Sequence, residues 1–157
     1  MDERLRVPMA SDYAFALGQA TYCFARCEWM VVWCWERLED NALHDATTGA
    51  RGRGMTAGVI ADRFKSAVER SVDVPECEEL LRLANDFRRL VVLRNSLMHG
   101  KPHTSNEGWQ GLYGSGHGSW SVADIEDAAD QFTVCSMALN ALHYGVLAQY
   151  HTARQLK

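Results

Sequence analysis

Residues 80–100 read LLRLANDFRRLVVLRNSLMHG, and the fold is decided by how this stretch is arranged. Leu80, Leu83, Phe87, Leu90 and Leu97 keep the spacing that lines one face of an α-helix. Upstream, Pro75 with Glu76, Glu78 and Glu79 is a helix start, because Pro is tolerated in a first turn and carboxylates favour the positive end of the helix dipole. Downstream, Gly100 supplies a stop after His99, and Pro102 blocks continuation. One position breaks the pattern. Arg94 stands where the stripe requires a core residue, Asn95 follows it, and His99 comes one turn after Asn95 on the same face.

A guanidinium cannot give up its charge, so leaving one buried without a partner costs about 3–5 kcal/mol. Two readings of Arg94 follow. In the first it is paired with a carboxylate such as Asp86 or Asp130, and His99 with Gly100 is an ordinary helix terminus. In the second, Arg94, Asn95 and His99 form a site, because broken local rules concentrate where function sits.

The rest of the chain is also helical in pattern. Tyr13, Leu17, Ala20, Phe24, Cys27, Val31, Cys34 and Leu38 form one stripe, predicting a helix from a cap at Ser11 or Asp12 to about Leu43. Around Trp29–Trp35 (WMVVWCW) the apolar surface widens to nearly all sides, which calls for cover on more than one side, by the bundle interior or by the bundle together with a partner subunit. Thr56 is the expected cap of a second helix to about Ser71, with Thr47–Gly54 as the turn before it. Ser121-Val-Ala-Asp124 has the form of a capping box and opens a last helix to about Tyr150. Residues 100–121 hold six of the twelve glycines and read as a loop, with a short hairpin admitted between Trp109 and Trp120. The expected fold is all-α: an up-and-down bundle of four to five helices with a long Gly-rich loop before the last one. It forms one domain over 1–157, with loose tails at 1–10 and 152–157.

Composition narrows the function. At 157 residues, 47% hydrophobic and 23% charged, the chain has the make-up of one ordinary globular domain. Its net charge of -4 excludes holding nucleic acid by bulk positive charge, so any such binding needs a local patch. Five Trp, five Tyr and five Phe exclude extended disorder. Five cysteines without a C-x-x-C pair argue for free thiols in a reducing, cytoplasmic setting rather than disulfides or zinc. The apolar run 29–35 is far shorter than the ~20 residues that span a bilayer, and MDERLRVP lacks the apolar core of a signal peptide.

Several other residues invite a role and receive a plainer one. Gly114–Ser119 (GSGHGS) lacks the Gly-Lys-Ser/Thr ending of a phosphate loop and reads as a flexible loop. His99, His103 and His117 straddle that loop without fixed metal geometry, so no metal and no cofactor is expected. Lys101 and His103, close after His99, are candidates for holding RNA. His143 and His151 read as surface residues, and Trp29, Trp33 and Trp35 as core or dimer interface. Arg51, Arg53, Arg63, Lys65, Arg88 and Arg89 read as a solvated face.

Arg94-Asn95-Ser96-Leu97-Met98-His99 resembles the R-polar-x-x-x-H motif of the HEPN superfamily (higher eukaryote and prokaryote nucleotide-binding domains). Met55-Thr-Ala-Gly-Val-Ile60 is similar to the Thr-x-Gly-x-Ile/Leu opening of the second helix in some members. The resemblance implies a helical bundle that dimerises so that two motifs face one another across a cleft. Active members are metal-independent endoribonucleases, often toxins or defence effectors. By position, Arg94, Asn95 and His99 would then be the catalytic set. Some toxin members carry a tyrosine two positions after the histidine, the target of a modifying antitoxin; here that position is Lys101, which places that route of regulation in doubt.

These residue types suit RNA cleavage by 2′-hydroxyl attack on the adjacent phosphate. Histidine can take or give a proton near neutral pH, worth about 10²–10⁴ in rate, and arginine presents a fork of donors to the phosphoryl oxygens. The expected partners are an RNA substrate, a second copy of the chain and an antitoxin or regulatory protein. The alternatives are an inactive nucleotide- or protein-binding scaffold of the same type, and an unrelated helical adaptor.

Overall fold

A computed structural model of the chain describes residues 9–49 and 53–156. Its helices are α1 (Ser11–Leu38), α2 (Ala42–Thr47), α3 (Ala57–Arg70), α4 (Cys77–Met98), α5 (Val122–Tyr144) and α6 (Val146–Gln155). Between α4 and α5 lie three short strands, β1 (Lys101–Thr104), β2 (Gln110–Gly114) and β3 (Gly118–Trp120). The all-α bundle is therefore present, with a small sheet at one end. The tail at 1–8 and residues 50–52, which include Arg51, lie outside the described residues.

Two of the three expected helix caps act where the sequence places them, whereas α1 starts after Ala10 rather than on a Ser11 or Asp12 cap. The Thr56 hydroxyl accepts the Val59 N–H at the start of α3. Ser121 and Asp124 satisfy each other's backbone donors in a complete capping box. Helix α4 ends with His99 as its cap residue and Gly100 beyond it.

The helix boundaries differ in two places where the apolar stripe runs on but the backbone does not. α1 stops at Leu38 rather than Leu43, since Glu39 is extended and Asn41 adopts the left-handed conformation at φ 69°. The Glu36 carboxylate then accepts the Leu43 N–H at 2.7 Å, tying α2 back to α1. The last helix likewise divides at Gly145, where φ −92° and ψ −110° leave the helical region. Residues 152–155 are not a loose tail but the end of α6: Arg154 reaches the Leu38 carbonyl and bonds Asp40 at 2.6 Å.

α1 and α5 pack side by side in parallel. Phe24 meets Phe132 at 5.2 Å, the Cys34 thiol donates to the Leu139 carbonyl at 3.4 Å, and Trp33 meets His143 at 6.2 Å. α4 runs against both α5, through Arg89 to Gln131 (2.8 Å), and α3, through Arg88 to Asp62 (3.0 Å) and Cys77 to Val68 (3.9 Å). α1, α3 and α5 thus share one direction and α4 runs opposite to them, with the short α2 folded back on α1 between α1 and α3. One continuous core, including Phe24, Phe64, Leu83, Phe87, Phe132 and Leu139, fills the space between them.

The expected loop over 100–121 is an antiparallel meander, β1-β2-β3. Its register pairs Leu112 with Trp120 and Lys101 with Tyr113. Gly116, at φ 76°, takes the turn between β2 and β3, so GSGHGS is a hairpin turn rather than a flexible loop. Trp120 is fully buried. The Tyr13 hydroxyl accepts the Leu112 N–H at 2.8 Å and donates to the Trp120 carbonyl at 3.1 Å, fastening the sheet to the first turn of α1.

The far end of the bundle is held by charge. Burial raises the Glu39 carboxyl, but hydrogen bonds from the Trp35 indole (2.9 Å) and the Arg70 guanidinium (3.0 Å), with the charge of Arg154, bring it below the ordinary carboxylate range. A carboxyl lowered by folding contributes stability that is complete above its unfolded pKa, about 4.3, and is lost as pH falls through the lower folded value. The urea midpoint is expected to drop as pH falls below about 4.3, and less steeply in Glu39→Gln, in which this group no longer titrates.

Candidate functional site

The last two turns of α4 carry the three motif residues in different settings. Leu90 and Leu97 are buried, and between them Arg94 is only half-buried. Its guanidinium carbon lies 5.3 Å from the centroid of the Phe24 ring, and its Nη1 donates to the Asn95 Oδ1 at 2.9 Å. A cation over an aromatic face loses less than one placed among aliphatic groups, which is how a charge is accommodated at a core position. Neither carboxylate expected from the sequence serves it. Asp86 is bound by Arg82 at 2.6 Å, and Asp130 is exposed at the α4–α5 groove.

Asn95 and His99 are both exposed. The His99 N–H donates to the Asn95 carbonyl at 3.0 Å, so the two side chains are one turn apart along one edge of α4. No described residue hydrogen-bonds the His99 imidazole. The end of α4 is fixed on two flanks: Thr21 of α1 donates to the Met98 sulfur at 3.6 Å, and Ser96 donates to the Ser115 carbonyl at 2.9 Å. Arg94, Asn95 and His99 line none of five concavities found among the described residues.

Glu28 of α1 is a charged neighbour that the motif does not contain. It follows Phe24 by one helical turn and is half-buried. Burial raises its carboxyl above the ordinary range, and the charge of Arg94 opposes that rise without cancelling it. The signal in the sequence is slight, a lone carboxylate at the edge of Trp29–Trp35, and nothing local links it to Arg94 far along the chain.

The remaining candidates fall elsewhere. Lys101 is exposed on β1, and half-buried His103 sits 2.8 Å from the Ser119 hydroxyl. His117 stacks on Trp120 at 3.6 Å. His143 is not a surface residue: it is buried between Trp33 and Tyr144, and burial lowers its pKa. Trp35 is buried, Trp33 half-buried and Trp29 exposed. Cys34 is inert as a nucleophile, its thiol pushed up to about 12 first by burial and then by Cys135. All five cysteines are free. Among the described residues, no three His, Cys, Asp or Glu side chains cluster as metal ligands would, and no helix is long and apolar enough to cross a membrane.

Compared with protein-family models, with curated proteins and with solved structures, the chain matches none.

Two outcomes test this geometry. Because Arg94 rests on a ring and not in a buried ion pair, Arg94→Ala is expected to lower stability by about 1 kcal/mol, against the ~3–5 kcal/mol of a broken buried pair. Urea denaturation separates the two. A carboxyl raised by folding prefers its neutral form, so holding Glu28 ionised costs stability once pH passes its unfolded value of about 4.3. Glu28→Gln is therefore expected to raise the urea midpoint at pH 7, with the gain vanishing toward pH 4 where the wild-type group is protonated.

Proposed function

We propose that this chain is a metal-independent endoribonuclease of the HEPN type, with Arg94, Asn95 and His99 as its catalytic residues. The observation that carries the reading is the arrangement at the end of α4: a guanidinium held over Phe24 and tied to Asn95, with an unengaged imidazole one turn away. In the proposed reaction the 2′-hydroxyl of RNA attacks the adjacent phosphorus, forming a 2′,3′-cyclic phosphate and releasing the 5′-oxygen of the next nucleotide. One histidine takes the hydroxyl proton and another protonates the leaving oxygen. The Arg94 fork stabilises the charge gathering on the phosphoryl oxygens, and Asn95 orients Arg94 through their hydrogen bond.

One chain supplies one motif histidine, so the reaction calls for a second copy that contributes the other His99 and closes the cleft. RNA is the substrate, and a toxin or defence effector of this kind requires an antitoxin or regulatory protein to restrain it. Free thiols fit a reducing, cytoplasmic location.

A second reading, an inactive protein-binding scaffold of the same fold, is favoured by a different observation. Phe15, Tyr22 and Trp29, spaced by sevens along α1, are 67%, 69% and 44% exposed, and Met137 and Tyr144 of α5 are 65% and 72% exposed. On α1 this stripe lies opposite Phe24, on the side away from Arg94. Exposed aromatic stripes of this kind mark protein contact surfaces.

End-labelled RNA incubated with the protein in excess chelator decides between them. The proposed enzyme is expected to cut it, leaving 2′,3′-cyclic phosphate ends, and His99→Ala to slow cutting by about 10²–10⁴-fold while keeping the wild-type thermal midpoint. Intact RNA beside a dimer confirmed by sedimentation would favour the scaffold. Equal cutting by both proteins would remove the motif from the reaction.

A further inference from the structure

The sheet has an outer face that neither the core nor the motif uses. Leu112 and Trp120 pair across β2 and β3 and pack inward, so the alternate residues Lys101, His103, Tyr113 and Ser119 face out. Trp109 joins them from the turn before β2 and lies across Gly111. A Cβ at Gly111 would come within 2.2 Å of the Trp109 ring, so glycine at this position leaves the indole its place.

The rings are fixed before any ligand arrives. The His103 ring is 5.5 Å from that of Trp109 and 5.9 Å from that of Tyr113, at interplanar angles of 72° and 85°. Its Nε2 lies 2.8 Å from the Ser119 hydroxyl, which holds the imidazole in that orientation. Trp109 remains 38% and Tyr113 56% exposed. These rings add nothing to the core, which Leu112 and Trp120 already seal from the other side. Edge-to-face rings with open faces suit a flat, unsaturated ligand.

Charge selects among such ligands. Lys101 is directly opposite Tyr113 in the register, and none of the outward-facing strand residues is a carboxylate; Glu107 lies in the β1–β2 turn, and Asp12 of α1 shares a concavity with Trp109 rather than with Tyr113 or Lys101. A methylated ammonium would be repelled by Lys101, whereas a base that carries a phosphate is matched by ring and cation together. Along the chain, Lys101 follows His99 by two residues.

We propose that this outer face is a stacking platform for single-stranded RNA, with a base on Tyr113 and Trp109 and the neighbouring phosphate on Lys101. The choice of RNA rests on the ribonuclease reading; the choice of a flat, phosphate-bearing ligand rests on the face itself. Stacking reads the face of a base, which every nucleotide has, so the platform holds unpaired strands without regard to sequence. A duplex hides those faces and is excluded.

The test uses the full chain carrying His99→Ala, so that RNA is bound without being cut, and reads fluorescence anisotropy of a labelled 12-nucleotide single strand. Tyr113→Ala and Trp109→Ala are each expected to weaken binding by about tenfold, within the range for loss of one stacked base, and Tyr113→Phe to bind as the parent does. The same RNA annealed to its complement is expected to bind more weakly than the single strand. Absence of any RNA binding, equal binding by Tyr113→Ala, equal weakening by Tyr113→Phe and Tyr113→Ala, or equal affinity for the duplex would each overturn the platform. Should Trp109→Ala unfold in circular dichroism, the Tyr113 pair decides alone. Cleavage by the otherwise wild-type protein is scored separately. Binding that depends on Tyr113 without cleavage keeps the platform and removes the ribonuclease, and cleavage with binding indifferent to Tyr113 does the reverse.

Discussion

The ring of Phe24 touches Phe87 at 5.9 Å, Phe132 at 5.2 Å and the Arg94 guanidinium at 5.3 Å. One side chain of α1 therefore fixes α4 and α5 in the core and supplies the surface on which the motif arginine rests. This contact resolves the conflict in α4, where a permanent charge occupies a position that the apolar stripe reserves for the core. The charge keeps its solvent on one side and gains an aromatic face on the other, without the desolvation that a buried ion pair would require. Displacing α4 along its axis would separate Arg94 from Phe24 and Phe87 from Phe24 together, so the packing of the bundle and the position of the guanidinium are set by the same contacts.

The sheet extends that constraint to the open end of the molecule. Helix α4 must end where it does because Gly100 and Pro102 stop it, and the chain then has to return to α1 before α5 can begin. Three short antiparallel strands make that return. The Tyr13 hydroxyl holds two of them to α1, and Ser96 holds the turn between β2 and β3 to α4. With its inward side chains committed to the core, the meander leaves a second face free, and that face carries aromatic rings where a merely connecting segment would carry small polar groups.

Glu28 carries a local cost: burial raises its half-buried carboxyl above the ordinary range, and the charge of Arg94 offsets that rise only in part. Glu39, at the other end of α1, is the contrasting case. It too is partly buried, but Trp35 and Arg70 satisfy it, and it strengthens the junction of α1 with α3.

What could be read along the chain was whatever depends on residues within a turn or two of each other. The stripe of α4, the caps at Thr56 and Ser121, the stop at His99–Gly100 and the break of pattern at Arg94 are all of this kind, and all stand where they were read. The interruptions at Glu39–Asn41 and Gly145 escaped because apolar spacing continues through both, and only the backbone angles change. The hairpin of β2 and β3 lies where the sequence admits one, between Trp109 and Trp120, whereas β1 escaped because a run of four residues shows too few alternations to be told from a loop. The partners of Arg94, the burial of His143 and the gathering of Trp109, Tyr113 and His103 on one face depend on contacts between distant segments. Periodicity and capping are set by bonds that span about four residues, whereas the neighbours of a side chain are set by how helices lie against one another. That arrangement placed Phe24, and not a carboxylate, beneath Arg94.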